Sequence, residues 1–301
     1  MMSTILDIYP SRVAVPAGFI PRKDPAVYSE VHSGGTGYLT EDEVAFYEEN
    51  GYLCFQNLFS EKEVSNYQQE LQKLKESEAT KRSSEVILEP GSSEVRSIFK
   101  VHQSNSIFRR LARDRRIVDV VSFLLNSAVY IHQSRINYKP GMHGKEFFWH
   151  SDFETWHMED GMPRMRAISC SISLSENNEF NGPLMLIPGS HRYFLPCVGE
   201  TPENHYLQSL RKQDYGVPDG DSLQWLVDQG GIVSAKGPAG SATFFECNTM
   251  HGSNSNISPW PRSNVFYVYN SVENALTQSF CGLSPRPEYI ATREVEVVEP
   301  L

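Results

Sequence analysis

Residues 129–138 read VYIHQSRINY, a run of β-branched and aromatic residues interleaved with polar ones. Runs of the same texture follow: RAISCSISL at 166–174, PLMLIP at 183–188, SATFFE at 241–246 and NVFYVYN at 264–270. Turn-rich clusters separate them, among them ENNEFNGP, GSHR and SNSNISPWP. Several short strands punctuated in this way specify an antiparallel sandwich or barrel.

Upstream of these strands the pattern is helical. Thr40 stands before EDEVAFYEEN as an N-cap with acids in the first turn, and Gly51 stops that helix. YLCFQNLF then reads as a short strand. Ser60 caps a second helix, EKEVSNYQQELQKLKES, whose Val64, Tyr67, Leu71 and Leu74 fall on one side. Further helices fit 106–113 and 116–125, and one more fits 221–228. Residues 1–38 hold Pro10, Pro16, Pro21, Pro25 and a GGTG turn at 34–37, an irregular arm. The expectation is one domain over 1–301, mainly β with flanking helices. The arm occupies 1–38, a mostly helical flank 40–126, and a β core 128–301 with an insertion around 200–235.

The chain of 301 residues carries 27 basic and 37 acidic side chains, a net charge of -10. That balance argues against a nucleic-acid grip, which needs clustered Lys and Arg. No apolar run approaches the roughly 18 residues that span a bilayer, so no membrane partner is expected. The start, MMSTILDIYPSR, lacks the basic and apolar regions of a secretory signal. The five cysteines (Cys54, Cys170, Cys197, Cys247, Cys281) are odd in number and form no CxxC pair, so they predict reduced thiols in a cytoplasmic protein.

Chemistry concentrates in Phe148-Trp149-His150-Ser151-Asp152. On a strand, His150 and Asp152 point to the same face and suit one ion. Both residue types are common in turns, so the pair alone is weak. His251, just beyond SATFFE, adds the second imidazole. Two His and one carboxylate form the facial triad of non-haem Fe(II) oxygenases, which leaves coordination positions open. A closed zinc site wants four ligands, usually with Cys. Arg262 stands eleven residues after His251, at the mouth of the next strand. A dicarboxylate chelating such an iron needs a permanently charged bidentate donor at its far end, which Arg supplies. His32, His102, His143, His191 and His205 have no ligand at suitable spacing and read as surface or structural. His132 and His157 flank the motif segments, and His157 is a candidate supporting residue or decoy ligand.

The seventeen residues 147–163, FFWHSDFETWHMEDGMP, resemble the signature of the ectoine hydroxylases, within the phytanoyl-CoA dioxygenase branch of Fe(II)/2-oxoglutarate oxygenases. Phe148 and Met158 occupy variable positions of that signature. YPSR, HQSRINYKPG, FNGPLMLIPGSH, CVGETP, NTMHGS and RPEYIA extend the resemblance over most of the chain. It implies a double-stranded β-helix (jelly-roll, cupin-like) core and a homodimer. It implies iron(II) on His150, Asp152 and His251, with O2 and 2-oxoglutarate as cosubstrates. The 2-oxoglutarate would lie against Arg262, with Arg135, Asn137, Lys139, Phe147, Ser169 and Ser253. Ectoine, a cyclic zwitterion and compatible solute, would lie against Gln133, Trp156 and Phe245, with Arg286 near its carboxylate. The resemblance further implies hydroxylation of ectoine to 5-hydroxyectoine with release of succinate and CO2.

Residue chemistry fits these assignments. Gln133, Arg135 and Asn137 alternate with period 2 and share a strand face. Trp156 and Phe245 can attract an amidinium through their π faces, although core packing is the usual fate of aromatics. Three alternatives stay open here. One is a hydroxylase of another small polar metabolite, such as proline. Another is a non-catalytic jelly-roll binding protein, and the last is a zinc hydrolase.

Overall fold

The structure is a computed structural model that describes residues 6–14, 18–30, 37–89, 93–209 and 217–301. Pro16, His32 and 34–36 of the expected turn lie outside the described residues. In chain order the strands are β1 (Ile20–Pro21), β2 (Tyr52–Phe55), β3 (Val86–Leu88), β4 (Val95–Phe99), β5 (Val129–Lys139), β6 (Phe147–His150), β7 (Ala167–Ser173), β8 (Met185–Leu186), β9 (Tyr193–Phe194), β10 (Val233–Ser234), β11 (Ala242–Glu246), β12 (His251–Ser253) and β13 (Arg262–Ser271). Seven form one antiparallel sheet in the order β2-β11-β7-β13-β5-β4-β3. Four form a second, β10-β8-β12-β6, also antiparallel. This is the jelly-roll architecture.

Alternation explains why the large sheet has two unlike faces. In β7, Ile168, Cys170 and Ile172 point into the main apolar cluster, joined by Val265, Tyr267 and Tyr269 of β13 and Ile131 and Ile136 of β5. The amphipathic helix Arg115–Leu125 covers that face with Ile117, Val118, Val121 and Leu124. Tyr267 and Tyr269 donate their hydroxyls to the carbonyls of Phe108 (2.7 Å) and Ala112 (2.8 Å), which ties the sheet to the helical flank. The opposite face is polar inside the barrel. Asn264 donates to Ser171 at 3.1 Å, and Ser97 donates to Asn137 at 2.9 Å.

Ile131 and Ile136 face the same way although one is odd and the other even. The register against β13 explains it: Tyr269 pairs with Ile131 and Val268 with Gln133, so His132 is an extra residue. This bulge switches the strand's faces and delivers Gln133, Arg135 and Asn137 to the interior.

The helices form for the reasons their caps announce. Thr40 and Glu43, then Ser60 and Glu63, make reciprocal capping boxes, and Gly51 ends the first helix at φ 78°. Bounds shift elsewhere. The 106–113 helix is Ser106–Leu111, the 116–125 helix begins at Arg115 because Asp114 is its cap, and the 221–228 helix is Gly220–Gly230 capped by Asp219. The run YLCFQNLF is a strand only to Phe55, since Asn57 adopts φ 55° and turns the chain. The flank also supplies β2, β3 and β4 to the main sheet, and the arm pairs β1 with β9. Among the described residues no helix is long and apolar enough to cross a membrane.

Candidate active site

His150 ends β6, Ser151 is the extended N-cap residue, and Asp152 opens the helix Asp152–Thr155. The expected strand alternation of His150 and Asp152 is therefore corrected: a strand-to-helix junction brings them together. In register, His150 lies opposite His251 of β12. Their rings are 4.2 Å apart, and Asp152 reaches both, with Oδ1 3.7 Å from His150 Nε2 and Oδ2 3.7 Å from His251 Nε2. All three residues are buried, and their ligand atoms lie within 4.8 Å of one another.

Neighbouring backbone fixes the tautomers. His150 Nδ1 donates to the Phe148 carbonyl (2.7 Å) and His251 Nδ1 to that of Thr249 (2.9 Å), so both Nε2 lone pairs face Asp152. Burial, aided by His251, pushes His150 down to about 3, which keeps it a neutral ligand. Burial alone would raise the Asp152 carboxyl; His251, His150 and Arg135 outweigh it and hold it below the ordinary carboxylate range. Among the described residues Asp152 Oδ2 has no hydrogen-bond partner. Two bonds lock the ligand segments together: Ser151 Oγ donates to Asn248 Oδ1 (2.8 Å) and the Phe153 amide to the Cys247 carbonyl (2.9 Å). These donors fit a divalent ion such as iron(II) on one face and leave its other face open to the cavity.

The cavity lies between the two sheets and contains three guanidinium groups. Arg262 is buried without an acidic or hydrogen-bond partner among the described residues, its Nε orphaned. Burial and nearby Arg96 push it down to about 10. Arg135 donates Nη1 to Gln133 Oε1 (2.6 Å), and its Nε has no partner among the described residues. Arg286, in contrast, is gripped by the buried carboxylate of Asp160 at 2.8 and 2.6 Å. An uncompensated buried charge costs several kcal/mol. A cavity in which Arg262 is unmatched and Arg135 is offset only by the metal-ligand candidate Asp152 therefore suits a small dianion beside the ion site.

The family model for phytanoyl-CoA dioxygenase (PhyH) matches residues 47–264. The chain belongs to the phytanoyl-CoA dioxygenase family. It is 57% identical, over 100% of this chain and 97% of the relative, to a protein of Bordetella bronchiseptica named ectoine dioxygenase. A Stutzerimonas stutzeri protein of the same name is 51% identical over 96% of this chain and 95% of its own. The crystal structure of EctD from S. alaskensis with bound Fe superposes with a TM-score of 0.88 at 44% identity, over 98% of both chains. The same protein with 2-oxoglutarate and 5-hydroxyectoine gives 0.87 at 45%, over 97% of both.

Within this phytanoyl-CoA dioxygenase chain, Gln133, Arg135, Asn137, Phe147, Trp156, Ser253, Arg262 and Arg286 line the cavity with the His-Asp-His cluster. Lys139, Ser169 and Phe245 do not. Lys139 Nζ donates to Ser253 Oγ (2.8 Å) and the Asn254 carbonyl (2.5 Å), and burial beside Arg262 and Arg96 pushes it down to about 6. Ser169 is buried at a cross-strand position to Phe245 and Val268. Phe245 backs the His251 ring at 4.9 Å and packs with Leu184, Leu186 and Phe266.

Sequence reading missed Ser97, Phe99, Thr155, Leu184 and Phe266, all of which face the cavity. Alternation from Arg262 through Asn264 was available to find Phe266. The short strand β4, which carries Ser97 and Phe99, gave no periodic signal of comparable length.

Among the described residues, His102, His157, His191 and His205 have structural partners. His157 donates to the Met162 carbonyl (2.7 Å), meets Asp7 at 3.0 Å and stacks on Phe280. His102 bonds Ser134, His191 meets the Glu48 carbonyl and His205 meets Glu159, while His143 is exposed. His132 lies beside Trp156 and Asp160.

Proposed function

We propose that this chain hydroxylates ectoine to 5-hydroxyectoine, consuming 2-oxoglutarate and O2 and releasing succinate and CO2. His150, Asp152 and His251 hold iron(II). The observation that carries the reading is a buried two-His, one-carboxylate cluster sharing a cavity with the uncompensated Arg262, in a chain 57% identical over its full length to an ectoine dioxygenase. When bound, iron(II) and 2-oxoglutarate supply the oxidising chemistry.

The chain supplies position, charge and dryness. Arg262 pairs the far carboxylate of 2-oxoglutarate through the bidentate geometry that only guanidinium offers. Arg135, Asn137 and Ser253 contribute donors around it, Lys139 holds Ser253 in place, and Phe147 supplies an apolar wall. Ser169 and Phe245 act from behind this wall. Trp156 offers its π face to the ectoine amidinium. Gln133 is held at both ends, donating to the Ile290 carbonyl at 2.7 Å and accepting from Arg135, so its remaining lone pair and N–H are presented in a fixed orientation to the substrate ring. Arg286 uses Nε and Nη2 on Asp160, which leaves Nη1 for the substrate carboxylate.

The same reading takes the chain as a single domain over 1–301 that works as a cytoplasmic homodimer. Light scattering on the purified protein measures the oligomeric state, with twice the 34.1 kDa chain mass expected.

The test of function is a substrate panel. Protein loaded anaerobically with Fe(II) and then given 2-oxoglutarate and O2 should release succinate faster with ectoine than with proline or other small solutes. Faster release with another solute would replace ectoine as substrate. Failure to take up iron would leave a binding protein.

A further inference from the structure

We propose that Asp160 is a positioning residue that fixes Arg286 and compensates its charge, so that the substrate end of the cavity accepts a zwitterion in preference to an anion. The proposal deepens the ectoine reading and rests on it.

Asp160 is fully buried and is the last residue of the π-helical turn Trp156–Asp160. Single π turns are uncommon and cluster at functional sites. Trp156, the first residue of the turn, lines the cavity. Asp160 grips Arg286 with both carboxylate oxygens, at 2.8 and 2.6 Å. His132 lies between the two ends: its ring packs edge-on against Trp156 at 5.1 Å, and its Nε2 is 3.4 Å from Asp160 Oδ2 without forming a hydrogen bond there.

The turn is closed by Gly161 at φ +80°. A Cβ there would fall 2.5 Å from the Thr277 and Gln278 carbonyl oxygens. The Gly161 carbonyl accepts from the Thr277 amide (2.9 Å) and hydroxyl (3.0 Å), and that of Asp160 from Arg293 Nη2 (2.6 Å). Arg286 itself sits in a stretch, 275–292, without helix or strand. No ladder of backbone bonds sets its side chain, so the Asp160 pair is what aims it.

Charge divides the cavity. At one end Arg262 has no carboxylate partner among the described residues, which favours an anion; Arg135 lies toward the other end, donating to Gln133, and the Asp152 carboxylate offsets its charge. At the other end Arg286 is already paired with Asp160, and Glu159 adds further negative charge close by. A guanidinium paired in this way still donates through Nη1, but it adds no net charge. A group with one carboxylate and one cationic ring meets no excess field there, whereas a plain anion gains nothing from it.

A double-mutant cycle tests this, with Asp160→Asn, Arg286→Gln and both together. Each is assayed on ectoine and on a cyclic carboxylate that lacks the amidinium. Asp160→Asn should lower kcat/KM for ectoine by about 10- to 100-fold, chiefly through KM, and narrow the preference for ectoine over the anion. KM for 2-oxoglutarate and iron content should stay at wild-type values. In the Arg286→Gln background the second substitution should cause no further loss. Additive losses, an unchanged preference, or an equal rise in the 2-oxoglutarate KM would overturn the proposal. If Asp160→Asn does not fold, the double variant leaves no buried charge unpaired and carries the test. It should keep iron and 2-oxoglutarate binding and lose the preference, and a retained preference overturns the proposal. A wild-type protein without ectoine-dependent succinate release would instead sink the functional reading beneath it.

Discussion

The two faces of the seven-stranded sheet are built from the same strands and do different work. One face packs Ile168, Cys170, Ile172, Val265 and Tyr267 against helices, and its energy comes from removing apolar area from water. The other places Gln133, Arg135, Asn137 and Arg262 around an ion site, and it pays in desolvation for charges it leaves unmatched. The first face makes the second possible. A wall of buried guanidinium groups is tolerable only on a scaffold whose stability is secured elsewhere. Substitutions on the two faces should therefore separate cleanly into losses of activity and losses of stability.

The sharpest separation is expected at His150. His150→Ala should abolish iron binding and lower turnover by more than about 100-fold, with a thermal midpoint close to wild type; full turnover would break the metal assignment. On the apolar face, Ile172→Ala should cost about 2 to 5 kcal/mol of unfolding free energy in a denaturant titration and leave KM for both substrates unchanged. Arg262→Gln should raise KM for 2-oxoglutarate by about 10- to 100-fold while stability stays level or rises, because an unpaired buried cation is removed. A fall in stability there would show that Arg262 is structural. The smallest effect is expected far from both faces. Thr40→Ala removes one capping box and should cost about 1 kcal/mol without touching kinetics.

The faces also differ in how legible they were. Alternation announced the apolar face directly, since Ile168-Ser169-Cys170-Ser171-Ile172 can only be a strand with unlike sides. It likewise put Gln133, Arg135 and Asn137 together. The bulge at His132 was hidden, because an extra residue leaves no mark in a sequence until its partner strand is known. Strands β3 and β4 were hidden for a similar reason. They are short, and they exist because β5 offers an edge far along the chain. His150 and Asp152 came together as expected but by a different route, through an extended cap residue into a helix. The cavity wall shows the limit most plainly. Phe245 of β11 and Phe266 of β13 lie on either side of β7 and meet in one apolar cluster, and only tertiary packing decides that one backs His251 while the other faces the cavity. The pairing of Arg286 with Asp160, 126 residues apart, was equally invisible.

The central claim is that this fold brings a metal-activated oxidation to ectoine, and isotope labelling tests it most directly. Turnover under 18O2 with Fe(II), 2-oxoglutarate and ectoine should place one labelled oxygen in succinate and one in a hydroxylated ectoine, in equal amounts. Succinate that forms at the same rate without ectoine, with no labelled product, would contradict the account.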